Sequence, residues 1–198
     1  MTDAQLIERH RAGDAGAFTA LVHRWQTPFY RFALRYVGDP DDARDACQLA
    51  LLRIHRSLST LQQPDRFSSW AYRLLVNICR DELKRRGRRQ TTPLSLLDDG
   101  DGRDAPSERL PSTEPDAEAI LEADDREAVL HHALRQLPDD QRTVVIMKTW
   151  QELTFAEIAA ILDIPVNTAK SRMFYGLKTL RRLLAGSRPT ATRSRHDL

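Results

Sequence analysis

Residues Thr154–Leu184, which read TFAEIAAILDIPVNTAKSRMFYGLKTLRRLL, predict the architecture of the carboxy-terminal part of this chain. Thr154 and Glu157 have the spacing of a capping box, in which the two side chains satisfy free backbone amides of a first helical turn. Pro165 prevents this first helix from continuing beyond the turn at Asp163. A short helix, a tight turn and a second helix predict a helix-turn-helix.

The predicted second helix, which Asn167 or Thr168 would cap, has two faces of different polarity. Its apolar side carries Val166, Ala169, Met173, Leu177, Leu180 and Leu184. The opposite side is polar, basic and aromatic, as expected of a helix that enters the major groove, and arginines beside it are placed for phosphates. The alternative is an ordinary helical hairpin with a solvated face. The predicted duplex-DNA contacts are Asn167, Thr168, Lys170, Ser171, Arg172, Phe174, Tyr175 and Lys178.

The rest of the chain also has helical periodicity. Apolar residues recur at intervals of three and four, for example from Phe18 to Tyr36, and no segment alternates long enough to predict a strand. Residues 87–113 are rich in glycine, proline, serine and aspartate, a composition that favours a flexible linker. We therefore predict an all-α protein with domains at 1–88 and 115–186, a linker at 89–114 and a disordered tail at 187–198.

Charge is distributed unevenly, although the net charge is only +2. Residues 80–89 contain six basic and two acidic side chains, and residues 165–198 contain eight basic and one acidic. Residues 90–118 reverse the sign, with eight acidic and two basic. Two basic zones separated by an acidic stretch predict two contacts with a polyanion.

Several function classes find no support in the sequence. There is no phosphate-binding glycine loop, HExxH motif or nucleophile elbow, so neither an enzyme nor a cofactor is predicted. Cys47 and Cys79 lack metal-ligand spacing and are interpreted as buried reduced thiols, with a redox pair as the alternative. No membrane span or signal peptide is recognised, which predicts a cytoplasmic protein.

Motifs in both halves resemble those of extracytoplasmic-function (ECF) RNA polymerase sigma factors. Leu137-Pro138, Arg142, Glu157-Ile158-Ala159 and the run Pro165–Arg172 resemble the fourth conserved region of that family. The second conserved region of the family is similar to three segments of this chain and to three residues that follow them: Ala17–Val22, Asp42–Gln48 and Phe67–Arg73, then Asn77, Asp81 and Arg85. The resemblance covers nearly the whole chain except the linker and tail.

This resemblance implies a division of labour between the two domains. The amino-terminal domain would bind the β′ clamp of core RNA polymerase and open the −10 element of promoter DNA. The carboxy-terminal domain would hold the −35 element and touch the β flap, with the linker threading toward the active-site cleft. An anti-sigma factor is the usual family partner. The implied contacts with core polymerase are Asp41, Asp42, Asp45 and Gln48, and those with the −10 element are Phe67, Trp70, Asn77, Arg80, Asp81, Lys84, Arg85 and Arg88.

Three of these assignments leave alternatives open. The loop Gln62–Ser69 offers amide and hydroxyl groups to a flipped base, but Phe67 and Trp70 also fit core packing. Asn77 and Asp81, one helical turn apart, contact either DNA or each other. A regulator that binds duplex DNA through its helix-turn-helix without polymerase is the alternative function.

The sequence departs from the family pattern at two positions of the second region and at one position of the helix-turn-helix. Leu49 stands where the family usually has an acidic residue after the glutamine of the second region, and Leu51 where an aromatic is common. We expect weaker binding to core polymerase than is typical of the family. An extension of that hypothesis is activation by phosphorylation of Ser57, Ser59 or Thr60. Asp163 replaces a frequent glycine, but aspartate tolerates the left-handed conformation that such a turn needs.

Overall fold

The computed structural model describes residues 1–91 and 127–186, with side chains described for 1–87 and 127–186. Most of the predicted linker, and the whole predicted tail at 187–198, lie outside these residues. The amino-terminal helices are α1 (Asp3–Arg11), α2 (Ala15–Val37), α3 (Pro40–Ser57) and α4 (Phe67–Thr91). The carboxy-terminal helices are α5 (127–135), α6 (Asp139–Trp150), α7 (Phe155–Leu162) and α8 (Val166–Gly186). No strand occurs in the described ranges, so the all-α prediction is confirmed.

Local sequence signals account for the helix boundaries. Gly38 ends α2 in the left-handed conformation, with φ of 73°, which glycine adopts without a steric penalty. Asp39 then caps α3 by accepting hydrogen bonds from the amides of Asp41 and Asp42, and Pro40 occupies the first helical position. Helix α4 continues to Thr91, three residues beyond the predicted end of the first domain.

An aromatic cluster forms the centre of the amino-terminal domain. Trp25 packs against Phe29, Phe67 and Tyr72 with ring centroids 5.2–5.6 Å apart. Phe29, Phe67 and Tyr72 are almost completely buried. Full burial of one such ring contributes about 1.5–3 kcal/mol, so this cluster holds α2 and α4 together.

The carboxy-terminal domain packs directly on the amino-terminal domain. The Tyr36 hydroxyl at the end of α2 donates to Asp139 at the start of α6. The Tyr72 hydroxyl donates to Gln151 Oε1 at 2.8 Å. Arg35 lies over the Trp150 ring, 5.1 Å from its centroid, and pairs with Glu127. The two helical bodies therefore share one continuous hydrophobic core in this conformation.

The two cysteines confirm the interpretation as buried free thiols. Burial raises the pKa of both Cys47 and Cys79, which disfavours the reactive thiolate. Among the side chains that the structure describes, no three His, Cys, Asp or Glu residues cluster as metal ligands would. Within residues 1–91 and 127–186, no helix has the length and apolar character that crossing a bilayer requires.

Candidate nucleic-acid interface

The helix-turn-helix forms as the sequence predicts. The Thr154 hydroxyl accepts from the Glu157 amide, and the Glu157 carboxylate accepts from the Thr154 amide at 2.7 Å. Hydrogen bonds from Thr154 lower the pKa of Glu157, which keeps this capping carboxylate charged. Asp163 ends α7 in the left-handed conformation at φ 55°. The predicted capping box and aspartate turn are both confirmed.

The inward face of α8 differs from the prediction in two respects. Val166 and Leu177, which the sequence places on the apolar packing side, are exposed, Leu177 to 47%. The buried positions are Ala169 and Leu180, as predicted, together with Gly176. Gly176 was not recognised as a packing residue, although a glycine in the middle of an amphipathic helix indicates that another element approaches closely.

The start of α8 also corrects the predicted cap. The helix begins at Val166, so Asn167 and Thr168 lie inside its first turn rather than at the capping position. The Pro165 carbonyl accepts the amides of Thr168 and Ala169 at 2.9 and 3.1 Å. The Asn167 side chain is therefore not needed as a cap, and it is exposed on the outer face.

The outer face of α8 is polar, basic and aromatic. Phe174 is 64% exposed and meets Tyr175 edge-on, with ring centroids 5.4 Å apart. The Ser171 hydroxyl donates to the Asn167 carbonyl, which leaves its oxygen as an acceptor toward solvent. The exposed side chains of this face are Asn167, Lys170, Ser171, Phe174, Tyr175, Lys178, Arg181 and Arg182.

Two predicted contacts of the second helix lie away from this face. Arg172 is half-buried and pairs with Asp140 of α6 at 2.8 Å, so it holds α8 to the domain body in this conformation. Thr168 is likewise only partly exposed. Arg172 faces the domain because it lies three residues after Ala169 and four before Gly176, one helical turn from each.

A groove lies where the sequence predicts a base-binding loop. It has a volume of about 430 Å³ and joins the end of α3 to the start of α4. Its polar lining includes Gln62, Gln63 and Arg66, and its apolar lining includes Trp70 and Leu74. Trp70 is half-buried and faces this groove, so it offers part of its ring to a ligand.

Phe67 requires a correction. It is only 1% exposed and packs against Trp25 and Trp70, with centroids 5.5 and 5.9 Å away. The core alternative therefore holds for Phe67, which has no surface available for DNA in this conformation.

The remaining predicted −10 contacts separate into two groups on α4. Asn77 and Arg80 lie on the side of α4 that borders the carboxy-terminal domain: Arg80 pairs with Asp139, and the exposed Asn77 lines a small cleft beside Asp163. Arg73, which is not one of the predicted contacts, donates to the Ile161 carbonyl at 2.8 Å. Asp81, Lys84 and Arg85 are exposed, and Arg85 pairs with Glu82 at 2.6 Å. No hydrogen bond joins Asn77 to Asp81 among the described side chains. The Arg88 side chain lies outside the described residues.

The predicted core-polymerase contacts lie on α3. Asp41, Asp45 and Gln48 are exposed on one face, and Leu49 next to them is 39% exposed. Asp42 instead accepts from Arg86 of α4 at 2.9 Å. Burial, together with the neighbouring Asp39 and Glu82, raises the pKa of Asp42. The structure thus brings three of the four predicted residues together at the surface and ties Asp42 to α4.

Arg142 has a structural role that its spacing alone does not reveal. It is buried and donates to the carbonyls of Leu134, Arg135 and Leu137 at 2.9–3.0 Å, which satisfies free carbonyls at the end of α5. Its guanidinium also lies 5.3 Å from the centroid of the Tyr36 ring. Arg142 therefore stabilises both the α5–α6 turn and the packing of the two domains.

These features define the class as an all-helical DNA-binding protein with a helix-turn-helix in its second domain. Residues 21–89 match the family model for sigma-70 region 2, and residues 121–180 match the model for sigma-70 region 4. The RNA polymerase sigma-H factor of Pseudomonas aeruginosa is 32% identical over 172 residues, which cover 87% of this chain and 88% of that protein. The ECF RNA polymerase sigma-E factor of Escherichia coli K12 is 31% identical, over 88% of this chain and 90% of that protein.

Solved structures have the same fold. CnrH in complex with the cytosolic domain of CnrY matches with a TM-score of 0.68 at 21% identity, over 94% of this chain and 99% of that one. The sigma factor RpoE in complex with the anti-sigma factor NepR from Bartonella quintana matches with a TM-score of 0.60 at 21% identity, over 86% and 98%. The chain belongs to the ECF family of RNA polymerase sigma factors and directs transcription initiation. The alternative of a polymerase-independent regulator is thereby set aside.

Proposed function

We propose that this sigma factor divides promoter recognition between its two domains, 1–88 for the −10 element and 115–186 for the −35 element, joined by a linker at 89–114. The observation that carries the proposal is the capped helix-turn-helix, whose second helix presents a basic and aromatic face to solvent. Lysine and asparagine side chains on such a helix read base edges in the major groove. Arg181 and Arg182 beside them are placed for phosphates.

The −10 contact is assigned to the groove beside Trp70. A base taken out of the stack needs an aromatic or apolar surface and hydrogen-bonding groups around its edge. Trp70 and Leu74 supply the aromatic and apolar surface. The hydrogen-bonding groups come from Gln62, Gln63 and Arg66. Opening DNA in this way needs no covalent chemistry, in keeping with a family of initiation factors.

The contact with core polymerase is assigned to the exposed side of α3. Asp41 and Asp45 lie toward its amino-terminal end, followed by Gln48, Leu49 and Leu52. Acidic side chains near a helix start are favoured by the helix dipole and remain available to a basic partner surface.

Because the partner is RNA polymerase of the bacterial type, the proposed location is the cytoplasm. The solved structures of CnrH and RpoE, which have this fold, are both complexes, and in one of them the bound protein is an anti-sigma factor. We therefore propose an anti-sigma partner for this chain too.

The experiment is run-off transcription with bacterial core RNA polymerase and a promoter library randomised at both elements. We expect the selected templates to share two separated elements. Lys178→Ala should alter preference only at the upstream element, and Trp70→Ala only at the downstream element. Arg31→Ala, which changes an exposed residue of α2, is the matched control. Selection of a single element, or exchange of the two variant effects, would contradict the proposal.

A further inference from the structure

The last residue of α1 reaches across to the loop that forms one side of the groove beside Trp70. Arg11 donates from its Nη2 nitrogen to the backbone carbonyl of Leu61, and the Leu58 carbonyl lies 3.5 Å from the same nitrogen. The other terminal nitrogen, Nη1, pairs with Glu8 of α1 at 2.7 Å. The Arg11 guanidinium therefore joins α1 to residues that lie 47 and 50 positions further along the chain.

The segment that Arg11 contacts lacks regular secondary structure where it meets the groove. After α3 the chain makes one 3-10 turn, Leu58–Thr60, and the Leu61 amide donates to the Leu58 carbonyl only at 3.4 Å. Residues 61–63 then form neither helix nor strand. Carbonyls at the end of a helical segment need partners from outside it, and the helix dipole favours a cation there. Arg11 supplies both the donor and the positive charge.

The contact with the Leu61 carbonyl also fixes the residue that follows. The peptide group between Leu61 and Gln62 is planar, so its N–H points away from Arg11 when its C=O points toward Arg11. Gln62 and Gln63 come next in the chain and line the groove together with Trp70. A rotation of this peptide group would therefore move the glutamine side of the groove relative to the Trp70 ring.

We infer that Arg11 is a positioning residue for promoter opening, which holds the glutamine side of the groove in place relative to Trp70. This inference rests on the proposed function, in which the groove takes a base of the −10 element, and it adds a residue that does not itself line the groove. Groups that bind a ligand have to be held within about 0.5 Å of their productive geometry by the residues that support them. Loss of the Arg11 contact should therefore weaken the choice between bases.

The test compares base discrimination by holoenzymes that contain the full chain and bacterial core RNA polymerase. Run-off transcription is measured in one reaction from the selected promoter and from a copy with one downstream base changed. The ratio of the two transcripts does not depend on how much of the chain is folded. We expect Arg11→Ala to lower this ratio about three- to tenfold, near the lower end of what a well-placed contact to a base supplies, at the positions where Trp70→Ala also lowers it. The same ratio for changes in the upstream element should keep its wild-type value.

Arg24→Ala is the matched control, because Arg24 also ties α1 to the domain but does so at the opposite end of the helix. It pairs with Asp3 at 2.5 Å and donates to the Met1 carbonyl at 2.9 Å. This variant should keep the wild-type downstream ratio. Arg11→Lys retains the charge but replaces the guanidinium fork by one ammonium, so its ratio should lie between those of the wild type and Arg11→Ala. If circular dichroism shows that Arg11→Ala is unfolded, Arg11→Lys provides the test.

A wild-type downstream ratio in both Arg11 variants overturns the inference. An equal loss in Arg24→Ala, or an equal loss at the upstream element, also overturns it, because either would show a general effect on the fold. In each of these cases, a lower downstream ratio in Trp70→Ala shows that the proposed function stands. An unchanged ratio in Trp70→Ala counts against the proposed function itself, and the inference falls with it.

Discussion

Gly176 of α8 lies so close to Val145 of α6 that a Cβ atom at position 176 would be 2.7 Å from Val145 Cγ2. Such a distance is too short for carbon atoms, and Val145 is a stiff, buried side chain. Helix α8 therefore packs closely against α6 because position 176 has no side chain. This contact sets how far the outer face of α8 projects from the domain.

The first prediction concerns this close approach. Gly176→Ala should destabilise the chain, because overpacking costs about 1–3 kcal/mol whereas alanine gains only roughly 0.5–1 kcal/mol in helix propensity. Urea unfolding measures the difference. Gly87→Ala is the control, since a Cβ there meets nothing within 4 Å and the same exchange should be neutral or stabilising. Equal stability changes in the two variants would contradict the packing argument.

The second prediction concerns Arg142. Arg142→Ala should lower the free energy of unfolding by about 3 kcal/mol, because three carbonyls at the end of α5 lose a charged donor in a buried site. Arg181→Ala, an exposed arginine of the same domain, should change it by less than about 0.5 kcal/mol. A loss for Arg142→Ala no larger than that of the control would show that water replaces the guanidinium.

The third prediction is a pH dependence that arises from His131. Burial, followed by the nearby Arg35, lowers the pKa of His131, although Glu127 opposes the shift and Arg135 adds to it. The unfolded chain therefore takes up this proton first as the pH falls below the ordinary histidine value of 6.5. The stability that neutral His131 contributes is fully present above pH 6.5, and it is lost as the pH falls toward the lower pKa of the folded state.

The measurement compares urea unfolding at roughly pH 7.5 and pH 5.5, on either side of the histidine titration. His131→Gln should reduce the loss of stability at the lower pH. His132→Gln, an exposed neighbour, should leave that loss as it is in the wild type. An identical pH dependence in wild type and His131→Gln would assign the effect to other groups.

The fourth prediction assigns an apolar contact to Phe174. An exposed phenylalanine on a DNA-facing helix suits the methyl group of a thymine in the major groove. Phe174→Ala should weaken binding to a duplex with the selected upstream element about fourfold, because one buried methyl-sized group contributes ~0.8 kcal/mol.

Replacing thymines of the upstream element by uracils tests this assignment directly. The wild type should lose affinity at one position, and Phe174→Ala should be insensitive there. Leu177→Ala, which changes another exposed apolar residue of α8, should keep the wild-type response. Additive losses from Phe174→Ala and the uracil exchange would place the contact elsewhere.

The fifth prediction concerns Leu49 on α3. Leu49→Glu restores the acidic residue that the family usually has and extends the acidic face of Asp41 and Asp45. We expect about two- to fivefold tighter binding to core polymerase at low salt, because rim charges contribute modestly and are screened. Leu49→Gln separates charge from loss of the apolar side chain. Weaker binding by both variants would show that Leu49 itself makes an apolar contact.

Local pattern accounts for the elements that could be predicted. The helical periodicity, the capping box at Thr154, the aspartate turn at 163 and the Asp39–Pro40 helix start all depend on residues within a few positions of one another. Local pattern predicts less well which side of a helix packs inward. Leu177 has the right spacing for burial but is exposed, because Gly176 rather than Leu177 meets the neighbouring helix.

The helices, their caps, the helix-turn-helix and the family follow from the amino-acid sequence, because these depend on short-range spacing and on motifs in a fixed order. Which side chains are free to act depends on how the helices pack together. That packing places Phe67 in the core, turns Arg172 toward Asp140, and sets Arg80 against Asp139. Those outcomes depend on contacts between residues 32 to 59 positions apart or on burial beneath other helices, which no local pattern of charge or hydrophobicity specifies.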